Sequence, residues 1–128
     1  MWTTLAALLT LPVAFAHEAT HWIAAKPVAD DAALEVSATD AEAHCLVDWA
    51  ADARPTLVAV ACLAPTLLGY ALATVVVTWW LLADFELPAT LVGWARLSIA
   101  AIVWQLYAYP SPKDRRGLTI FREVLCRW

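Results

Sequence analysis

The chain has 128 residues, of which 62% are hydrophobic and 16% are charged. A soluble domain usually contains about 45–50% apolar and about 25% charged residues. The composition therefore favours membrane-spanning segments over an unusually apolar soluble core. The net charge is −4, and no basic face is predicted outside the C-terminal tail, which excludes nucleic acid as a first-choice partner. We expect a single membrane domain over residues 1–128.

Three apolar segments, at about residues 2–25, 56–82 and 87–109, are each long enough to cross the hydrocarbon core as a helix. The second segment carries no charge, and the third carries only Arg96. Arg96 either extends along the span towards the headgroups or serves as an interior cation for a substrate carbonyl or an acidic partner. The sequence thus predicts an all-α integral membrane protein with three transmembrane helices.

Charge placement in the connecting segments predicts how these spans are oriented. The basic residues of the loop 26–55 lie at its two ends, the connection 83–86 is acidic only, and the tail 110–128 is rich in arginine. Because basic residues near span ends stay cytoplasmic, we expect a multi-pass protein of the cell membrane with an external N-terminus and a cytoplasmic C-terminus. In an alternative interpretation, signal peptidase cleaves after Ala14-Phe15-Ala16 and the mature chain begins at His17.

Two of the polar segments have periodic patterns of their own. Apolar and polar positions alternate within residues 34–49 on both sides of a polar connection. This alternation predicts a short β-hairpin between the first two spans, with an irregular loop as the alternative. Apolar residues of the tail recur at helical spacing with arginines between them: Leu118, Phe121, Leu125 and Trp128. The tail is therefore predicted to form an amphipathic helix on an anionic leaflet, or else to be disordered.

The first apolar segment contains the sequence His17-Glu18-Ala19-Thr20-His21, an H-E-x-x-H motif. Positions i and i+4 lie on one face of a helix, so the two imidazoles can bind the same Zn²⁺ ion. Glu18 lies between the two ligands and can accept a proton from the water that zinc activates, as a general base. Ionisable groups at membrane depth are costly, which favours a functional role over a polar end of the span.

The motif is followed by a hairpin-like segment and by a second span that contains Ala64-Pro65-Thr66-Leu67-Leu68-Gly69. In these features the chain resembles the site-2 protease superfamily of membrane-embedded zinc metalloproteases, especially its small zincin-like members. The resemblance implies hydrolysis of peptide bonds in membrane or membrane-proximal substrates. It also implies His17 and His21 as zinc ligands, Glu18 as the base, and an aspartate from the third span as a further ligand. The hairpin can offer an edge strand that binds substrate in extended form.

The third ligand departs from the pattern of that family, because the predicted third span contains no Asp, Glu or His and no N-P-x-x-D-G sequence. Asp114 follows the cytoplasmic end of this span, on the same side of the membrane as the histidines, and ranks first. His44 ranks next, and Asp48 or Asp52 follow. The alternative function is a non-catalytic membrane scaffold or binding protein with a degenerate metal site.

Overall fold

A computed structural model describes residues 2–37, 42–83 and 86–126. This part of the chain contains four helices and one antiparallel sheet of two strands. In chain order the elements are α1 (Trp2–Ala25), β1 (Ala29–Ser37), β2 (Glu42–Trp49), α2 (Pro55–Leu82), α3 (Leu91–Ala108) and α4 (Arg115–Leu125). The predicted turn of the hairpin, Asp84 and Phe85 of the predicted external connection, and Trp128 of the predicted tail helix lie outside the described residues.

The predicted class, an all-α protein with three transmembrane helices, is wrong. Among the described helices, α2 and α3 alone are long and apolar enough to cross a membrane. α1 is helical over the predicted range, but Pro12 and the polar sequence from His17 to His21 interrupt its apolar character. A two-stranded sheet also lies between α1 and α2, so the fold combines helices and strands. The orientation expected from charge placement, with an external N-terminus, stays a prediction.

Proline and glycine positions determine the ends and the contact of the two apolar helices. Pro55 lies in the first turn of α2, where a missing N–H removes no helical hydrogen bond. The Thr90 side chain caps α3 by accepting a backbone N–H of the first turn, and α3 ends before Pro110, which cannot continue a helix. A Cβ added at Gly69 would lie 2.5 Å from the Cβ of Ala108, so α2 and α3 cross at backbone contact distance there.

The predicted hairpin is present, and its two strands are longer than the alternation indicates. β1 and β2 pair antiparallel, with Ala32 opposite Val47 and Leu34 opposite Cys45. Side chains at odd positions of β2 are shielded by the protein, whereas those at even positions are exposed. This difference between the two faces reflects the period of two that the sequence shows, because successive strand side chains point to opposite sides.

The hairpin packs against α1, and α4 packs against α2. β2 packs against α1, and α1 contacts both α2 and α3. The predicted tail helix is present as α4 and packs against α2 through Gly117. A Cβ added at Gly117 would lie 2.8 Å from the Ala59 carbonyl oxygen and 2.9 Å from the Cβ of Cys62. This close approach brings the residue before α4, Asp114, against the second half of α1.

Candidate metal centre

Three buried polar side chains meet where α1, α2, α3 and α4 converge. His17 and His21 lie one helical turn apart on α1, and Asp114 immediately precedes α4; the three are 7%, 9% and 5% exposed. The Nε2 atom of His17 lies 3.2 Å from Oδ2 of Asp114, and the Nε2 atom of His21 lies 3.0 Å from Oδ1. The two Nε2 atoms are 3.2 Å apart. Among the described residues, this is the one group of three side chains close enough to share a metal ion.

Backbone carbonyls determine which ring nitrogen of each histidine carries a proton. His17 Nδ1 lies 2.6 Å from the carbonyl oxygen of Tyr107, and His21 Nδ1 lies 2.9 Å from that of Ala61. A carbonyl oxygen can only accept a hydrogen bond, so both Nδ1 atoms donate. In the neutral form of each ring, Nε2 then presents a lone pair to the centre of the cluster. Metal-binding histidines in proteins use this arrangement, in which the second nitrogen donates to a carbonyl or carboxylate.

Both accepting carbonyls lack their usual helical partner. The carbonyl of Ala61 would accept the N–H of the residue four positions later in α2, but that residue is Pro65, which has no N–H. The carbonyl of Tyr107 lies in the last turn of α3, where carbonyls have no helical donor. The N–H of Ser111, four residues further on, donates to Asp114 instead. A proline and a helix end thus provide the two acceptors that orient the imidazoles.

A local pair of hydrogen bonds holds the Asp114 carboxylate. Its Oδ2 accepts the backbone N–H of Ser111 at 2.6 Å, and the backbone N–H of Asp114 donates to the Ser111 hydroxyl at 3.3 Å. This reciprocal arrangement has the form of a capping box. Burial alone would raise the pKa of Asp114, but it is outweighed by hydrogen bonds from Ser111 and by those that His17 and His21 donate when protonated, and the pKa lies well below the usual range. Asp114 is therefore ionised at neutral pH.

The cluster requires a cation at its centre to offset the repulsion among its three ligand atoms. Two Nε2 lone pairs and an ionised carboxylate would otherwise face one another across about 3 Å, which is repulsive. A proton can fill this role: burial lowers the pKa of His17, but hydrogen bonds to Asp114 and to the Tyr107 carbonyl, with the charge of Asp114, raise it overall. A metal ion can fill the same role. Zinc–ligand bonds of about 2.0–2.1 Å at tetrahedral angles place ligand atoms about 3.3 Å apart, close to the spacing of these three atoms.

Glu18 borders a cavity beside the cluster. The cavity has a volume of about 200 Å³ and is lined by α1, β2, α2 and the start of α4, including Glu18, His21 and Asp114. Oε2 of Glu18 accepts the backbone N–H of Cys45 at 2.8 Å, which fixes the carboxylate against the edge of β2. Burial, with the nearby charge of Glu18, raises the pKa of the Cys45 thiol to about 11. The negative charge along the cavity therefore comes from the two carboxylates and not from this thiol.

Four other residues considered in the sequence lie away from this cluster. His44 is exposed and its Nε2 lies 3.0 Å from Oε2 of Glu42, on the side of β2 that faces away from the cavity. Asp48 and Asp52 are exposed, and so is Arg96 on α3, which does not line the cavity. The structure therefore brings the first-ranked candidate, Asp114, to the two histidines and does not bring His44, Asp48 or Asp52 there.

The groups that hold the three side chains were not predicted from the sequence. The carbonyl of Ala61 could have been identified from Pro65, because an internal proline leaves the carbonyl four residues earlier without its donor. The Ser111-Pro112-Lys113-Asp114 sequence also has the spacing of a capping box, with Asp in the fourth position. Nothing in the sequence indicates that the N–H of Cys45 binds Glu18, since that contact depends on how the hairpin packs against α1.

The chain matches no protein-family model, no curated protein and no solved structure.

Proposed function

We propose that the protein is a membrane-bound zinc metallopeptidase that hydrolyses peptide bonds of membrane or membrane-proximal substrates. One observation carries the proposal: two imidazole Nε2 atoms and a buried carboxylate converge, with each Nδ1–H donated to a backbone carbonyl. Three protein ligands would leave one ligand position for water or substrate, as in catalytic zinc sites. The H-E-x-x-H motif and its resemblance to site-2 proteases agree with this assignment.

Each residue has a distinct role in the proposed reaction. His17, His21 and Asp114 would hold the zinc ion, and the bound ion would supply a Lewis acid for polarising a water molecule and the scissile carbonyl. Glu18 accepts a proton from the attacking water and delivers it to the leaving amine nitrogen, so that the C–N bond breaks with no net change in protonation of the enzyme. The N–H of Cys45 holds one oxygen of Glu18 and so aims the carboxylate into the cavity.

The edge of β2 offers a binding site for an extended substrate. The N–H of Cys45 points away from β1, because it donates to Glu18 on α1. Backbone groups two residues apart in a strand face the same edge, so those of Val47 also point away from β1. Val47 lines the cavity beside the cluster. A substrate segment paired with this edge would present its peptide bonds in extended form next to Glu18, with main-chain hydrogen bonds providing affinity.

The membrane assignment rests on the two apolar helices. In the apolar windows of α2 and α3, 22% and 6% of residues are buried within the protein. A core helix of a soluble protein would be mostly covered, so this exposure favours lipid as the surrounding medium. Five of the eight basic residues follow α3 in the sequence: Lys113, Arg115, Arg116, Arg122 and Arg127. By the placement of basic residues, we assign the end of the protein that carries α4 and the candidate site to the cytoplasmic side.

A non-catalytic membrane scaffold is the second candidate, and one observation favours it. The carboxylate of Asp114 lies within 3.2 Å of both imidazoles, which is close enough for direct ion pairing. Such a buried ion pair can hold α1 against α4 in a purely structural role once one imidazole is protonated. Under this alternative Glu18 has no reaction to catalyse.

Replacement of Glu18 distinguishes the two candidates. Glu18→Gln keeps the shape of the side chain but cannot accept a proton, so hydrolysis should fall by about 10²–10⁴-fold while bound zinc is retained. The control is Glu35→Gln, which changes an exposed glutamate of β1. The assay is cleavage of unfolded or membrane-derived peptides by purified protein, with zinc measured in the same samples. Equal cleavage by wild type and Glu18→Gln, or wild type with neither zinc nor cleavage, would overturn the proposed function.

A further inference from the structure

α4 has two different apolar surfaces, and only one of them is covered. Gly117 faces α2 and is buried, and Ile120 and Val124 follow it at helical spacing, both half-buried. A second stripe lies beside this contact surface, because residues three and seven apart share a helix face. It consists of Leu118, Phe121 and Leu125, which are 54%, 42% and 61% exposed. We call these three residues the α4 stripe.

Basic side chains border the α4 stripe on the side away from α2. Arg115 and Arg122 are seven residues apart and therefore lie one above the other along the helix, next to Leu118 and Leu125. Both arginines are exposed. Glu123 is the single acidic residue among Arg115–Leu125, and helical spacing places it on the far side of the helix from the stripe. The stripe thus has a cationic border without an acidic partner in α4.

The position of α4 matches the boundary of the apolar helices. Gly117 contacts α2 at Ala59 and Cys62, within the first two turns after Pro55. The C-terminal end of α3, at Ala108, lies a few residues before α4. The α4 stripe is therefore located near the level at which both candidate spans end, where an aqueous phase meets lipid.

We propose that α4 is an interfacial helix that binds an anionic lipid surface, with the α4 stripe in the acyl-chain boundary and Arg115 and Arg122 on anionic headgroups. An exposed apolar face bordered by arginine is the recognised pattern for such binding. A second copy of the chain fits this surface less well, because an isologous contact would bring like-charged arginines of two stripes together. The inference does not depend on zinc or on hydrolysis.

Site-directed fluorescence on the full chain tests this binding. The three cysteines are replaced by alanine, one cysteine is introduced as Phe121→Cys on the stripe or as Thr119→Cys on the exposed polar side, and each variant carries an environment-sensitive dye. The protein is reconstituted in vesicles of phosphatidylcholine alone or mixed with phosphatidylglycerol, with and without lipids that carry a quencher in the acyl chain.

The probe at residue 121 should shift to the blue and be quenched in phosphatidylglycerol vesicles, whereas the probe at residue 119 should not. Arg115→Gln combined with Arg122→Gln should raise several-fold the phosphatidylglycerol fraction needed for half-maximal quenching, because each basic residue contributes to surface attraction. Equal quenching at residues 119 and 121, or none in anionic vesicles, would overturn the proposal. A blue shift that rises with protein density and is unquenched by lipid would overturn it in favour of a second copy as the occupant.

Discussion

Pro65 offers a sharp test of how the cluster is held, because its replacement should have opposite effects on helix stability and on zinc affinity. Pro65→Ala restores an N–H four residues after Ala61, and that N–H will compete with His21 for the Ala61 carbonyl. The carbonyl is the acceptor that keeps the proton on Nδ1 of His21. Loss of such an outer hydrogen bond typically weakens metal binding about 10–100-fold.

The same substitution should leave the metal-free protein at least as stable. An internal proline costs a helix about 3 kcal/mol relative to alanine. Pro65 is fully buried, so the change also removes about two methylene groups from a packed site, at about 0.8 kcal/mol each. Together, the relief of the proline penalty and the lost packing should raise the free energy of unfolding of the metal-free protein by about 1 kcal/mol. If Pro65 served only to fill space, Pro65→Ala would lower the free energy of unfolding and would have no selective effect on zinc affinity.

The assay measures zinc affinity by competition with a chromophoric chelator, together with urea unfolding in detergent micelles without zinc. Nitrogen chemical shifts of the imidazole rings report the tautomer of His21. Pro12→Ala is the matched control, because Pro12 is also inside a helix but is exposed and away from the cluster. Unchanged zinc affinity and an unchanged His21 tautomer in Pro65→Ala would refute the reasoning.

Three further predictions concern pH, helix packing and substrate binding. Protons compete with zinc at His17, whose pKa is raised above its ordinary value, so zinc affinity should increase with pH until His17 is deprotonated. Zinc binding should then release protons, which a pH-indicator titration would detect. Gly117→Ala should push α4 from α2 and so displace Asp114, costing about 1–3 kcal/mol of stability and weakening zinc binding; unchanged affinity would contradict the packing argument. Val47→Pro removes an outward N–H from β2 and should lower kcat/KM without loss of zinc, whereas Val36→Pro, on the opposite edge of the hairpin, should not.

Short sequence patterns predicted individual elements of the structure correctly, whereas the overall architecture was not predicted correctly. The alternation in residues 34–49 identified the hairpin, and the spacing of Leu118, Phe121 and Leu125 identified α4, because each pattern reports the period of one element. The side of the membrane assigned to each loop led to Asp114 as the first-ranked ligand. In the structure, Asp114 lies close to α1 because α4 packs against α2 through Gly117, and not because of a third span.

The number of spans could not be read correctly because hydrophobic length alone does not separate α1 from the other apolar helices. α1 is 24 residues long, but its polar motif and Pro12 reduce its apolar character below that of α2 and α3. The contacts that orient the imidazoles were missed for a different reason. Carbonyl acceptors are invisible to side-chain motifs, and they are found only by asking which backbone groups a proline or a helix end leaves without a partner.

The zinc content of purified protein tests the central claim most directly. Wild type should hold about one zinc ion per chain, as should His44→Ala, which changes an exposed histidine outside the cluster. His21→Ala and Asp114→Ala should each lose stoichiometric zinc while remaining in the membrane fraction. Full zinc occupancy in His21→Ala, or no zinc in wild type at neutral pH, would contradict the account.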